Sequence, residues 1–282
     1  LAGSTDGTIG IWDRVTGEPV RIFQAGPAAV LGLSVARNGD IYAAVGVDGP
    51  IRLFDLPRRH PLAELTGIPN DPTSVAISPD GRVAVSGDSA RVVRIWDLAA
   101  KKSIRDLAGH TAAITGVAFV APTRTVLATA ANGFLRGWLY TNGEIQGEVQ
   151  TTPITAIAAN ADGRLVALTG DDGLVRLLRW PPVPRQQLVQ HGGNVAAVAV
   201  TPDGRLVVSG SETQQVQIFD GATGKSLKSL SGQQGTTTAL DIHPTGSLVV
   251  SSNSTGSWQA WQVADGKARP GRGGHQQAIR AI

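Results

Sequence analysis

Apolar and β-branched residues alternate with polar ones along almost the whole chain, in runs of five to seven cut by Pro, Asp, Asn and Gly. The stretch from Thr73 to Gly109 shows the grammar: TSVAIS, a PDG turn, RVAVSG, a short polar turn, VVRIWDL, then KKSIRDL. Period-two alternation punctuated this way predicts strands joined by tight turns. The same grammar repeats. Taking Trp96 as a marker, equivalents fall at Trp12, Phe54, Trp138, Leu178, Phe219 and Trp261, at spacings of 42, 42, 42, 40, 41 and 42 residues in chain order. Turns recur in phase as well, since Asn38-Gly39, Asp80-Gly81, Asp162-Gly163, Asp203-Gly204 and Thr245-Gly246 end 15 residues before their markers. Seven units of this length predict an all-β, seven-bladed β-propeller of four-stranded antiparallel blades.

Trp12-Asp13 and Trp96-Asp97, Gly109-His110 and Gly274-His275, and the turns Ser78–Gly81 and Thr201–Gly204 carry a further likeness. Through them the chain resembles the WD-repeat family over essentially its whole length, and its Ala/Val-rich strands and DGR turns look bacterial. In that family each repeat runs as an outer strand d followed by strands a, b and c of the next blade. The resemblance therefore implies one propeller over residues 1–282, with blade boundaries near 24, 67, 109, 150, 190, 232 and 273. His275–Ile282 matches an innermost strand a, and Leu1–Gln24 supplies strands b, c and d, so one blade is expected to be closed by both termini, which leaves no open sheet edge. From Trp261 round to Trp12 there are only 33 residues, so an a–b turn is missing and the chain is expected to be part of a longer one.

Two stretches depart from the pattern. Trp180-Pro181-Pro182-Val183-Pro184 stands at a c–d turn; proline cannot donate to the ladder, so strand d there is expected to start late. An exposed PPVP would also suit polyproline recognition. Val120-Ala121-Pro122-Thr123-Arg124 replaces an SPDGR turn and reads as loop drift.

Family blades are often tied by a buried tetrad: His at the d–a loop, Ser or Thr on strand b, Asp six residues before the Trp, and the Trp itself. No blade here keeps the full set. His275, Asp6 and Trp12, with Ser4 as fourth member, come nearest; His110, Asn132 and Trp138 form a second partial set with Ala128 and Ala130 on strand b. Ala90 stands where the Trp96 blade needs its acid, so Trp96 is expected to pack rather than to join a network. His110, His191 and His275 share one repeat phase, so they read as structural residues rather than metal ligands. Without cysteine, and without H-x-x-x-H or H-E-x-x-H spacing, zinc has no ligand set. Gly221–Ser226 ends like a phosphate loop, but Phe219 holds the required upstream glycine position and a strand follows, so it reads as a c–d turn. Asp171-Asp172-Gly173 reads as a b–c turn, Asn253-Ser254-Thr255 is a formal glycosylation sequon, and Gly271–Gly274 reads as loop. No cofactor is expected.

Charge adds one hypothesis. In the family's geometry the b–c and d–a loops share a face, which carries Asp6, Asp48, Asp71, Asp88, Asp171, Asp172 and Glu212 against Arg91. The opposite face carries Arg14, Arg58, Arg59, Arg82, Lys101, Lys102, Arg124, Arg164, Arg185, Arg205, Lys225 and Lys267. A net charge of only +3 would then hide an acidic partner-binding face and a basic one; the alternative is habitual turn chemistry. That charge does not call for strong nonspecific nucleic-acid binding, no specific nucleic-acid partner is expected, and no apolar run reaches the ~18 residues of a membrane span. The expectation is a noncatalytic scaffold binding protein or peptide partners, a monomeric domain of a larger, cytoplasmic chain. The rival is a propeller enzyme or small-ligand binder using the central channel. Against it, the innermost strands read VLGLSV, TSVAIS, ITGVAF, ITAIAA, VAAVAV, TTALDI and AIRAI, with only Asp241 and Arg280 charged.

Overall fold

The computed structural model describes the chain apart from residues 14, 15, 17, 37–40, 56–59, 68, 69, 121, 122, 183–186, 192 and 271–273. It is a ring of seven four-stranded antiparallel sheets. Blade 1 joins Ile279–Ala281 from the C-terminus to Ala2–Ser4, Thr8–Trp12 and Pro19–Gln24. Blade 2 is Val30–Val35, Ile41–Gly46, Ile51–Asp55 and His60–Leu65, and blade 3 is Pro72–Ile77, Val83–Asp88, Val93–Asp97 and Lys102–Leu107. Blade 4 is Ile114–Val120, Thr125–Ala130, Phe134–Leu139 and Ile145–Gln150; blade 5 is Ile154–Ala159, Val166–Gly170, Leu174–Leu178 and Gln187–Gln190. Blade 6 is Val195–Val200, Leu206–Ser211, Val216–Asp220 and Ser226–Leu230, and blade 7 is Thr237–Ile242, Leu248–Asn253, Trp258–Gln262 and Ala268–Pro270. The strands of each blade, from channel to rim, are a, b, c and d.

The apolar cores lie between blades. Ala43, Val45, Ile51, Leu53 and Leu65 of blade 2 pack on Val75, Ile77, Ala84 and Trp96 of blade 3, and comparable clusters fill the interfaces 1/2 and 3/4 through 6/7. Strands b and c are sandwiched between neighbouring sheets, so they are largely buried on both faces; strand d meets solvent, as the exposed run Lys102–Asp106 shows. The markers Trp96, Trp138, Phe219 and Trp261 are at most 1% exposed, and each contributes about 2–3 kcal/mol of burial. Close approach is bought by glycine on strand b: a Cβ at Gly87 would lie 2.2 Å from Ile114 Cγ2 of the next blade.

The blade with the proline-rich turn solves a local problem. Its marker, Leu178, is smaller than tryptophan, and Trp180 two residues later turns into the core between blades 4 and 5. A Cβ at Gly137 would come 2.2 Å from the Trp180 ring, so this glycine makes room for it. Strand d there begins at Gln187, nine residues after its marker, against six in blade 3. Val183 and Pro184 lie outside the described residues.

A second bond between blades is polar. Each strand a carries a bulge after its first residue, as between Pro72 and Ser74 or Ile154 and Ala156, which frees the second side chain from the ladder and re-aims it. Thr73 Oγ1 then donates to the Ile114 carbonyl of blade 4 (2.7 Å), Thr155 to the Val195 carbonyl of blade 6 (2.6 Å), and Thr238 to the Ile279 carbonyl of blade 1. Ser34 and Ser74 accept from the amides of Ile77 and Val117 in the blades that follow theirs. Thr155→Val keeps the shape but leaves the Val195 carbonyl without its donor; it should cost about 1–2 kcal/mol in urea unfolding. Thr155→Ser should recover most of that loss, and equal stability of all three proteins would contradict the role.

Candidate functional site: the loop face and channel mouth

The b–c and d–a loops meet on one face, and position along the repeat decides what each side chain there can reach. Counting back from the marker, Asp6, Asp48, Asn132 and Asp172 all stand six residues before it. Two residues before it, on strand c, stand Arg52, Arg94, Arg136 and Arg176 in blades 2 to 5. These arginines rise to the same face, which their places on strand c do not by themselves indicate.

Blades 2 and 5 have no histidine at the d–a position, and the arginine takes its place. Arg52 forks onto Asp48 with Nη1 at 3.0 Å and Nη2 at 2.5 Å, and its Nε reaches Glu64 on strand d at 3.0 Å. Arg176 grips Asp172 in the same way, with Thr152 Oγ1 adding a bond at 2.8 Å. The Arg176 guanidinium, first, and the Thr152 hydroxyl hold the Asp172 carboxyl at about 2, and Arg52 likewise lowers Asp48. In blade 3, where Ala90 offers no acid, Arg94 pairs with Asp106 (2.6 Å) and donates to the Gly67 carbonyl of the d–a loop (2.8 Å). Arg136 pairs with Glu148 at 2.6 Å.

In blade 1, Asp6, His275 and Trp12 come together, but the wiring differs from the expected tetrad. The position ten residues before Trp12 is Ala2, and Ser4 lies two residues too late; its hydroxyl donates to the Gln277 carbonyl at 3.2 Å. Thr8 makes the link, donating to Asp6 at 2.5 Å and accepting from His275 Nδ1 at 2.6 Å. Burial alone would raise the Asp6 carboxyl, but the hydrogen bonds from Thr8 outweigh it and hold it low. A hydroxyl beside a histidine can suggest a nucleophile and its base. Here the hydroxyl proton is committed to Asp6, so the imidazole donates and cannot act as that base. Trp12 Nε1 has no partner; the ring meets His275 edge-on at 5.4 Å.

His110 and Trp138 also meet edge-on, at 5.4 Å, yet neither ring nitrogen of His110 has a partner in good hydrogen-bonding geometry, and Asn132 donates to Thr111 instead. Burial first, then the nearby Arg136 charge, push the His110 imidazole down to about 4, with the Ala128 backbone and Glu148 opposing weakly. Burial lowers His191 and His275 too.

Two further wirings were not foreseen. Trp96 donates to the buried Ser86 at 2.9 Å, so it is bonded as well as packed, a correction to the expectation drawn from Ala90. Ser86 stands ten residues before its Trp, which was the available signal. In blade 7 Gln233 occupies the histidine phase, accepting from Ser251 and donating to the Ser252 carbonyl at 3.0 Å. Asn253, the sequon residue, is buried; its side chain caps Thr255 and Ser257 and donates to the Gln234 carbonyl. Glycosylation there would require unfolding the turn.

The other proposed acids are of two kinds. Asp88 is buried and accepts from the Val92 amide at 2.8 Å. Asp71, Asp171 and Glu212 are exposed, as is Arg91, which adopts φ 75°. The opposite face is not simply basic: Asp80, Asp203, Asp220 and Asp265 stand in its turns and accept from their amides, and Arg164, Arg205 and Lys267 each lie within 4 Å of a turn carboxylate. Arg14, Arg58, Arg59 and Arg185 lie outside the described residues. Among the described residues no three His, Asp or Glu side chains are grouped to hold a metal ion.

At the axis, the innermost strands enclose a cavity of about 540 Å³. Thr73, Thr115, Thr155, Thr238 and Arg280 contribute to its wall, with Thr5 of a b–c loop joining at the loop face. Asp241, on the same strand as Thr238, is reached by solvent but so surrounded that burial pushes its carboxyl up to about 6.

Seven antiparallel blades, Trp or Phe markers buried between them and histidines at the d–a loops define a repeat propeller. A family description, WD domain, G-beta repeat, matches residues 59–97, 101–138, 142–178, 182–220 and 224–262, well over half of the sequence, and the chain belongs to that family. It is 27% identical over 190 residues to apoptotic protease-activating factor 1 of Rattus norvegicus, covering 64% of this chain and 15% of that protein. It is 26% identical over 232 residues to cell division cycle 20.1, cofactor of APC complex, of Arabidopsis thaliana, covering 77% of this chain and 50% of the relative. Telomerase protein component 1 of Rattus norvegicus is 26% identical over 241 residues, 77% of this chain and 9% of its own length. The chain thus spans half or less of each of these relatives.

Two measurements test the wiring. Ser86→Ala should cost about 1–2 kcal/mol by removing the buried acceptor of Trp96, and an unchanged urea midpoint would contradict it. His110 binds its proton less readily folded than unfolded, so its contribution to stability is intact above pH 6.5 and is lost as pH falls from 6.5 towards 4. The loss has a ceiling of about 3 kcal/mol. His110→Gln should flatten the fall in stability between pH 7 and pH 4.5, and parallel pH profiles for the two proteins would contradict that assignment.

Proposed function

We propose that this propeller is a noncatalytic scaffold that holds a protein or peptide partner on the face formed by its b–c and d–a loops. The observation that carries the reading is the set of side-chain clamps that hold that face in place. Arg52 and Arg176 clamp b–c turns, and Arg94 ties a d–a loop to strand d. A surface ordered before binding loses less entropy on complex formation. Exposed Asp71, Asp171 and Glu212 then stand outward from a stiff ring, available to orient a partner electrostatically. The family relationship agrees with this, as does the name of the Arabidopsis thaliana relative, which describes a cofactor of a complex.

A photo-crosslinking amino acid placed at Asp71, Asp171 or Glu212 should give discrete protein adducts in cells. The same group at Arg164 or Arg205, both strongly exposed on the opposite face, should give few. Equal adducts from both faces, or none from the loop face, would refute the assignment.

A further inference from the structure

The bulge that re-aims a threonine in blades 3, 4, 5 and 7 re-aims an arginine in blade 1. In the pairing of Ile279–Ala281 with Ala2–Ser4, Gly3 lies opposite Ala281 and Ser4 opposite Ile279, so Arg280 is the residue left out of register. Its side chain joins the wall of the axial cavity and is exposed there. At the equivalent position the other blades carry Leu31, Thr73, Thr115, Thr155, Ala196 and Thr238. Arg280 is therefore the one ionisable side chain among the residues lining that cavity.

Two facts set the chemistry of what it could meet. First, the guanidinium is not spent. Arg52, Arg94, Arg136 and Arg176 are each taken up by a carboxylate, whereas no carboxylate or carbonyl among the described residues engages Arg280. Second, three of the lining hydroxyls are spent as donors. Thr73, Thr155 and Thr238 direct their protons to carbonyls of the next blade, which leaves lone pairs facing the cavity. Such a wall offers the oxygens of an anion few donors besides the guanidinium. One planar cation with paired N–H donors matches one carboxylate. A phosphate dianion would want a second cation, and the lining supplies none.

We propose that the channel mouth receives a single carboxylate side chain, an Asp or Glu presented by the partner polypeptide, held by the Arg280 guanidinium. This rests on the reading of the loop face as a protein-binding surface and names the group that would enter its centre. The cavity, about 540 Å³, accommodates one side chain with water. The exposed acids Asp71, Asp171 and Glu212 stand on the surrounding face, so a lone acidic residue would be steered past a negative rim to a positive centre. The partner segment is accordingly expected to carry basic residues beside its acidic one.

The test uses the full chain labelled with nitrogen-15 and small probes in place of the partner. N-acetyl-glutamate N-methylamide should shift the Arg280 Nε–H resonance with saturation in the millimolar range. The glutamine analogue should bind about fivefold or more weakly, since a charge-assisted bidentate contact is lost. Arg280→Gln should abolish the preference for glutamate over glutamine, and Arg280→Lys should retain only part of it; both variants are to be shown folded by their amide spectra. Equal affinity for glutamate and glutamine probes, or no shift at Arg280, overturns the proposal. Tighter binding of the phosphoserine analogue than of glutamate overturns the carboxylate assignment. These outcomes are independent of the crosslinking result: a partner on the loop face with no probe at Arg280 removes this inference alone.

Discussion

Each blade depends on its neighbour to cover it. The marker ring of one sheet lies on strands b and c of the sheet before it, and the clusters of buried residues span interfaces rather than single sheets. A four-stranded sheet of this kind has two apolar faces and no core of its own. The ring removes every uncovered face at once, and the shared sheet of blade 1 is part of that closure. Local choices follow from this demand: glycine where the next strand a approaches, Trp180 where a marker is too small, and hydroxyls at bulges where two innermost strands must be bonded without a ladder.

The polar groups at the loop face obey a similar economy. A carboxylate six residues before the marker is fixed in space by the turn, and it takes whatever donor the blade supplies. In blade 1 that donor is Thr8, with His275 behind it; in blades 2 and 5 it is an arginine from strand c. Where the acid is missing, as at Ala90, the arginine turns to strand d and the loop backbone. The result is one geometric task performed by different residue pairs, which is why the family's tetrad is incomplete in so many blades while the loops remain anchored.

This explains what could be read from the residues alone. The period of the markers and the in-phase turns are covalent facts, and they specify the seven blades, the antiparallel order and the shared sheet. The positions of Asp6, His275 and Trp12 in one blade were legible for the same reason. What escaped was any contact whose partner lies a strand or a blade away. Arg52 and Arg176 alternate in-pattern on strand c, and nothing in their spacing says that a long side chain reaches a turn four residues back. Ser4 looked adequate because a hydroxyl is a hydroxyl in sequence, yet a shift of two residues along a strand moves it some 7 Å. The Ser86–Trp96 bond is hidden by the absence of a full set of four in that blade, whereas a pair is sufficient to satisfy both buried groups.

The pairing of Ile279–Ala281 with Ala2–Ser4 carries a mechanical consequence. Six blades are continuous polypeptide, so force spreading the ring at any of them is opposed by covalent bonds. In blade 1 the load between strands a and b passes through a short hydrogen-bonded ladder, reinforced by Ser4 on Gln277 and Thr5 on Ala278. The ring is therefore an open chain fastened by a clasp. Tension between its ends would be released there first, while the other six sheets remained intact.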